Sequence, residues 1–231
     1  MTEATEARVL VVAAHPDDEV LGCGGTLARL ARTSAVRVLI LGEGITSRAG
    51  LTEEQMAEQV AQLRRDAATA AVVLGVPTPT HRAFPDNAFD SVQLLRLVHA
   101  VEAEVAALAP TRVLTHSAGD VNVDHRLTRD AVEAAVRPLA TSPVETVLGF
   151  EVPSSSDWNV TRPRFAPNVF YALLDHHVLA KVDAMACYRS EARPAPHPRS
   201  EQNLRALARV RGGQCGREWA EGFELVYQRV L

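Results

Sequence analysis

Cysteine is scarce in this 231-residue chain: Cys23, Cys187 and Cys215 are an odd number, far apart, with no C-x-x-C pair among them. Such spacing argues against a disulfide framework and against a thiolate zinc site, so buried free thiols are expected. No block of lysine or arginine occurs, and 24 basic against 28 acidic residues leave a formal charge of −4. An electrostatic grip on nucleic acid or on a membrane surface needs clustered positive charge, so neither partner is expected. Also missing is any apolar run near the roughly 18 residues that a membrane span requires. Residues 1–7 are acidic and polar, unlike the basic-then-apolar start of a secretory signal, and a cytoplasmic protein is expected. Repeats, low-complexity tracts and linker-like stretches are absent too, which predicts one domain over residues 1–231.

What is present is a set of short aliphatic runs separated by helical patterns. With 47% of residues hydrophobic, the chain can bury a substantial core. Residues 8–14, RVLVVAA, are almost continuously aliphatic, the mark of a parallel strand covered on both faces. A helical segment over 26–33 and a second such strand over 36–41 complete a βαβ unit. A long helix is predicted over 52–74, opened by a Thr52-x-x-Gln55 capping box and stopped at Gly75. Residues 77–90 are rich in loop formers. Helices are predicted over 92–109, 125–137, 175–188 and 201–211, and strands over 112–115, 144–152 and 169–173. Polar loops cover 153–167 and 192–200, and 219–230 is an apolar closing segment. The alternation predicts an α/β protein, a three-layer α/β/α Rossmann-like fold with a mostly parallel sheet.

The sharpest feature is AAHPDDE, residues 13–19, where the first strand ends. Ligands in open α/β sheets bind at the carboxyl ends of strands, and a histidine with two carboxylates packed there is costly unless the charges face a metal or solvent. An acidic helix-capping turn is the plainer explanation of this fragment alone. The second feature, HSAGDVNVDHR over 116–126, again follows a strand and precedes a helix. Two such turns at two strand ends point together to a metal: His15, Asp18 and His125 supply the mixed imidazole and carboxylate set that zinc takes, with a coordination position left open. A dinucleotide site is argued against by the glycines coming after HPDDE and by two carboxylates where a pyrophosphate would sit.

AHPDDE with a later Asp-His resembles the LmbE-like, or PIG-L, family of zinc-dependent N-deacetylases. Gly22 to Gly25 (GCGG), LGV at 74–76, DVNVDHR, EVPSS from Glu151 and PHPRS from Pro196 resemble it too, so the likeness spans most of the chain. It implies His15, Asp18 and His125 as zinc ligands and Asp17 as the base. It also implies a small-molecule N-acetylated sugar or glycoconjugate as substrate, and a possible homo-oligomer. Many members carry a further histidine where this chain has Asn122, which can donate a hydrogen bond but cannot serve as an acid. His197, fixed between Pro196 and Pro198, is the first candidate for the vacant proton role, with His116 and Asp17 itself as the others. Arg64, Asn122 and Trp158 are the expected substrate contacts, joined by Glu151 and residues 154–156; Asp124 is a candidate for orienting a ligand or for capping the helix that follows, and Asp120 is left without a role. The expected function is therefore metal-dependent removal of an acyl group, acetyl first, from an amino sugar. Hydrolysis of another amide or ester, or metal or sugar binding without catalysis, are the alternatives.

Overall fold

The computed structural model describes residues 7–230. Seven strands form one sheet in the order β3-β2-β1-β4-β5-β7-β6. They are β1 (Ala7–Ala13), β2 (Ser34–Gly42), β3 (Thr80–Phe84), β4 (Arg112–His116), β5 (Thr146–Phe150), β6 (Val169–Leu173) and β7 (Trp219–Gln228). Strands β1 to β5 pair in parallel, and β7 lies antiparallel between β5 and β6. The helices are α1 (Asp18–Leu30), α2 (Glu53–Leu74), α3 (Leu94–Leu108), α4 (Val123–Ala135), α5 (Asp175–Cys187) and α6 (Glu201–Gln214).

Strand β1 shows why the fold has three layers. Its side chains alternate between two cores: Val9, Val11 and Ala13 pack with α1, α2 and α5, while Leu10 and Val12 pack with α3 and α4. All five are fully buried, so an unbroken aliphatic run is required where a strand is covered on both faces. The sequence reading is borne out here as a three-layer α/β/α fold with a mostly parallel sheet. No helix among the described residues is long and apolar enough to cross a membrane.

Three details depart from expectation. β3 runs through the segment read as loop; it is an edge strand whose residues are only partly buried, so no apolar pattern marks it. The apolar closing segment is the antiparallel strand β7. Helix α1 begins at Asp18 rather than at Thr26, eight residues early, because its glycines hide it from propensity. They are there for contact: a Cβ at position 22 would collide with the Phe150 ring, and one at position 25 would lie 2.6 Å from Leu173 Cδ1. The helix is also broken at Cys23 (φ −147°, ψ 22°). Its exposed backbone groups are taken by a buried ion pair. Lys181 Nζ donates to Leu21 O at 2.8 Å, and Glu221 accepts from Gly25 N and Thr26 N at 3.1 and 2.6 Å. Lys181 and Glu221 meet at 2.6 Å.

The order 3-2-1-4-5 reverses direction between β1 and β4. Successive connections leave the sheet on opposite faces there, and a crevice opens at the strand ends. HPDDE follows β1 and HSAGDVNVDHR follows β4, so the topology itself brings the two turns together.

Candidate active site

Asp17 and Asp18 are adjacent yet serve different neighbours. Asp17 has φ 99°, ψ −26°, a left-handed conformation that costs a non-glycine residue about 1–3 kcal/mol unless its surroundings impose it. Asp18 then starts α1 and turns to the histidines: its Oδ2 lies 3.4 Å from His15 Nδ1 and 3.3 Å from His125 Nε2. His125 comes from the first turn of α4, whose cap is Asn122, the side chain accepting from Asp124 N at 2.8 Å. Ligand-capable atoms of His15, Asp18 and His125 all lie within 4.8 Å of one another. The three residues predicted as metal ligands are thus brought together.

Each of the two imidazoles has a carboxylate behind it. Asp124 Oδ2 is 2.9 Å from His15 Nε2, while its Oδ1 accepts Phe89 N at 2.9 Å. Asp120 Oδ2 is 3.1 Å from His125 Nδ1, and the carboxylate is itself held by two hydroxyls, Ser155 donating to Oδ1 and Ser156 to Oδ2. Such pairs fix ring orientation and leave the other nitrogen facing the site. Asp124 therefore orients His15 and does not cap the helix.

The electrostatics favour positive charge at this point. Burial pulls the His15 imidazole down, but Asp124, Asp18 and Asp86 outweigh it and raise it to about 10. In the same way burial opposes and Asp18 and Asp120 prevail at His125, raised to about 9. Burial pushes Asp18 up, yet His125 and His116 hold it well below the usual carboxylate range. Two imidazoles and an ionised carboxylate that attract a cation, with orienting carboxylates behind them, fit a divalent metal by the chemistry of the donor set. His116 plays another part. Fully buried and stacked on His125 at 4.1 Å, it accepts Ala14 N at 2.9 Å, and burial with His125 beside it lowers it to about 3. It is a neutral structural ring and no acid at neutral pH.

A cavity of about 490 Å³ opens over the cluster, lined by His15, Asp17, Asp18 and His125 and by Ser47, Arg48, Asp86, Asn87, Asn122, Glu191, Arg193 and Arg199. Asn122, an expected substrate contact, stands in its wall and donates to Asn87 Oδ1 at 2.9 Å. Three other expected residues stand elsewhere. Arg64 is exposed on α2; its neighbour Leu63 reaches the cavity, and one step along a helix turns a side chain by about 100°. Trp158 is 55% exposed and outside the lining. The His197 ring packs edge-on against Trp158 at 5.7 Å, also outside the lining, and its Nδ1 accepts Arg199 N. Two residues further on, Arg199 is the group that enters. Its Nη1 donates to Asp17 Oδ2 at 2.7 Å and its Nε to Ser154 Oγ at 2.8 Å. Arg48 meets Glu191 at 2.5 Å across the mouth. Sequence reasoning missed Arg199, although it lies inside the PHPRS segment, and missed Asp86, whose FPDN context was read only as loop. Cys23 is buried and donates to Glu19 O, as packing and not ligation requires.

A parallel sheet gathering His and Asp side chains at its switch point, beside a further buried carboxylate, defines an α/β protein with a ligand site at the carboxyl ends of its strands and a side-chain group able to hold a metal. The particular family follows from the sequence: the chain belongs to the PIG-L family, whose model, GlcNAc-PI de-N-acetylase, matches residues 10–136. It is 27% identical over 188 residues to the uncharacterized deacetylase YaiS of Escherichia coli (strain K12), covering 79% of this chain and 90% of that one. N,N'-diacetylchitobiose deacetylase from Pyrococcus horikoshii has the same fold, with a TM-score of 0.77 at 20% identity over 96% of this chain and 85% of that one. So does GalB, the 4-carboxy-2-hydroxymuconate hydratase of Pseudomonas putida KT2440, with a TM-score of 0.74 at 22% identity over 97% and 98%. The last likeness shows that this fold carries more than one reaction, so the reaction must be argued from the site.

Proposed function

We propose that this protein removes an N-acyl group, acetyl first, from an amino sugar or its conjugate, with a resident zinc ion and Asp17 as base. One observation carries the reading: Asp17 is 2% exposed, lines the same cavity as His15, Asp18 and His125, and is not one of the converging ligands. A protein that only binds metal or sugar has no use for a further buried acid. His15, Asp18 and His125 would hold the zinc, which would supply a Lewis acid able to bring the pKa of water from about 15.7 toward about 7. Asp17 takes the proton of the attacking water, and the same carboxyl returns it to the departing nitrogen as the C–N bond breaks. This leaves no role for His197 as an acid. Asn122 keeps a second amide N–H for the developing oxyanion. Ser47, Asp86, Asn87 and the arginines form a polar wall suited to sugar hydroxyls. The diacetylchitobiose deacetylase likeness and the family description support a sugar substrate.

The deciding experiment is an amine-release assay over a panel of N-acetylated sugars with chelated and zinc-restored protein. Amine released only in the zinc-restored sample is expected; a panel yielding no metal-dependent amine sinks the reading. Two further outcomes follow from the geometry. Arg199→Ala is expected to lower kcat by at least about tenfold, since a misplaced catalytic group is costly, whereas His197→Ala stays within about twofold. The reverse order would restore His197 to the site. The second concerns metal loading. With His15 and His125 raised to about 10 and 9, both carry protons near neutral pH in metal-free protein, and a ligand must be neutral. Zinc binding at pH 7 is expected to release about two protons, and its affinity to climb as pH rises toward 9. Calorimetry in buffers of different ionisation heat counts these protons, and a count near zero contradicts the electrostatics.

A further inference from the structure

Below the cavity floor, a relay of two hydrogen bonds that the chemistry above does not use runs from Tyr188 through Glu19 to the backbone of Asp17. Glu19 Oε2 accepts Asp17 N–H at 3.1 Å, and Glu19 Oε1 accepts the Tyr188 hydroxyl at 2.5 Å. Glu19 is 2% exposed and Tyr188 fully buried. Asp17 needs support of this kind, because φ 99° is a conformation that a side chain-bearing residue does not hold unaided. That backbone turn separates the tasks of two neighbours, sending Asp18 to the histidines and Asp17 to the open side of the cavity.

We propose that Glu19 and Tyr188 are positioning residues for Asp17. The Tyr188 hydroxyl fixes the Glu19 carboxylate, which grips the Asp17 N–H, holds the left-handed turn and so sets where the base stands. The proposal rests on Asp17 being the base.

The place of Tyr188 in the chain strengthens the case. It closes α5 and begins the loop carrying Glu191 and Arg199, and its carbonyl accepts Glu191 N at 3.0 Å and Ala192 N at 2.9 Å. The same loop therefore grips Asp17 twice. Arg199 holds its carboxylate from the cavity side, and Tyr188 holds its backbone through Glu19 from below. A pair that merely filled space would not join the loop to the base in this way.

Tyr188→Phe removes one oxygen and leaves the ring. Its expected effect is a fall in kcat of about tenfold, with KM within about twofold and one zinc per chain retained. Glu19→Gln keeps an oxygen for the Asp17 N–H and an amide for the Tyr188 oxygen, so it is expected to retain kcat within about threefold. Glu19→Ala keeps neither and falls at least as far as Tyr188→Phe. Asp17→Asn, assayed beside them, separates the two levels of argument. Substantial turnover in Asp17→Asn removes the base and the function reading with it. A dead Asp17→Asn beside a Tyr188→Phe of normal kcat, or one whose loss lies in KM, overturns the positioning role alone. Equal losses in Glu19→Gln and Glu19→Ala overturn it as well, by making charge and not position the requirement. Should Glu19→Ala fail to fold, the Tyr188→Phe and Glu19→Gln pair decides by the same criteria.

Discussion

On the proposed zinc-dependent reaction, Asp17→Asn protein is expected to keep the metal and its fold and to lose turnover by a factor on the order of 10²–10⁴, the range that removal of a positioned general base produces. Asparagine is the same size as aspartate and can still accept the Arg199 hydrogen bond now made at 2.7 Å. What it lacks is a basic oxygen. Because Asp17 stands apart from the three converging ligands, metal stoichiometry should not change, and because the substrate wall is built from other side chains, KM should move little. A loss confined to kcat identifies an interaction made in the transition state and not on binding. Retention of more than about a tenth of wild-type turnover would mean that the carboxylate is not the base. His15→Ala gives the contrasting control, in which turnover falls because the metal is no longer held.

The largest expected effect on stability lies behind the site, at the break in α1. Lys181→Met leaves the Glu221 carboxylate in the core without its cation, and breaking a buried pair from one side costs about 3–5 kcal/mol. For a chain of this length each kcal/mol lowers Tm by about 2–4 °C, so thermal unfolding should show a fall of roughly 6–20 °C. Glu221→Gln added to Lys181→Met keeps an acceptor for Gly25 N and Thr26 N without the charge, and should recover much of the loss. A Lys181→Met protein melting within about 2 °C of wild type would show that the pair contributes little.

The parts of the fold legible in the sequence are those whose local chemistry and tertiary position agree. The Thr52 and Gln55 capping box forms as predicted, with Gly75 in the left-handed closing position, and the aliphatic runs of β1 and β2 occupy the doubly covered centre of the sheet. Where the two disagree, the pattern misleads. The start of α1 is concealed by glycines whose purpose is contact with Phe150 and Leu173, and β3 has too little burial to carry a period. In the site, His15, Asp18 and His125 were readable because each lies in or near a connection from a strand to the next helix: His15 in the turn after β1, Asp18 at the start of α1 and His125 in the first turn of α4. Side chains on long loops were not. Nothing in ARPAPHPRS tells which of two residues, His197 or Arg199, faces inward, for that depends on how the loop lies against Ser154 and Asp17. Trp158 likewise offers the right chemistry on a segment whose direction only the folded chain fixes.

The ion pair at the break in α1 has a consequence beyond stability. Lys181 is the only lysine in the sequence, and it is 5% exposed with its ammonium enclosed by Leu21 O and Glu221. The folded chain therefore offers amine-reactive dyes almost no ε-amino background. An amine set free from a substrate can then be read out by such a dye with almost no contribution from enzyme side chains. Conversely, the slow appearance of dye on Lys181 itself would clock the opening of the helix that begins at the candidate active site.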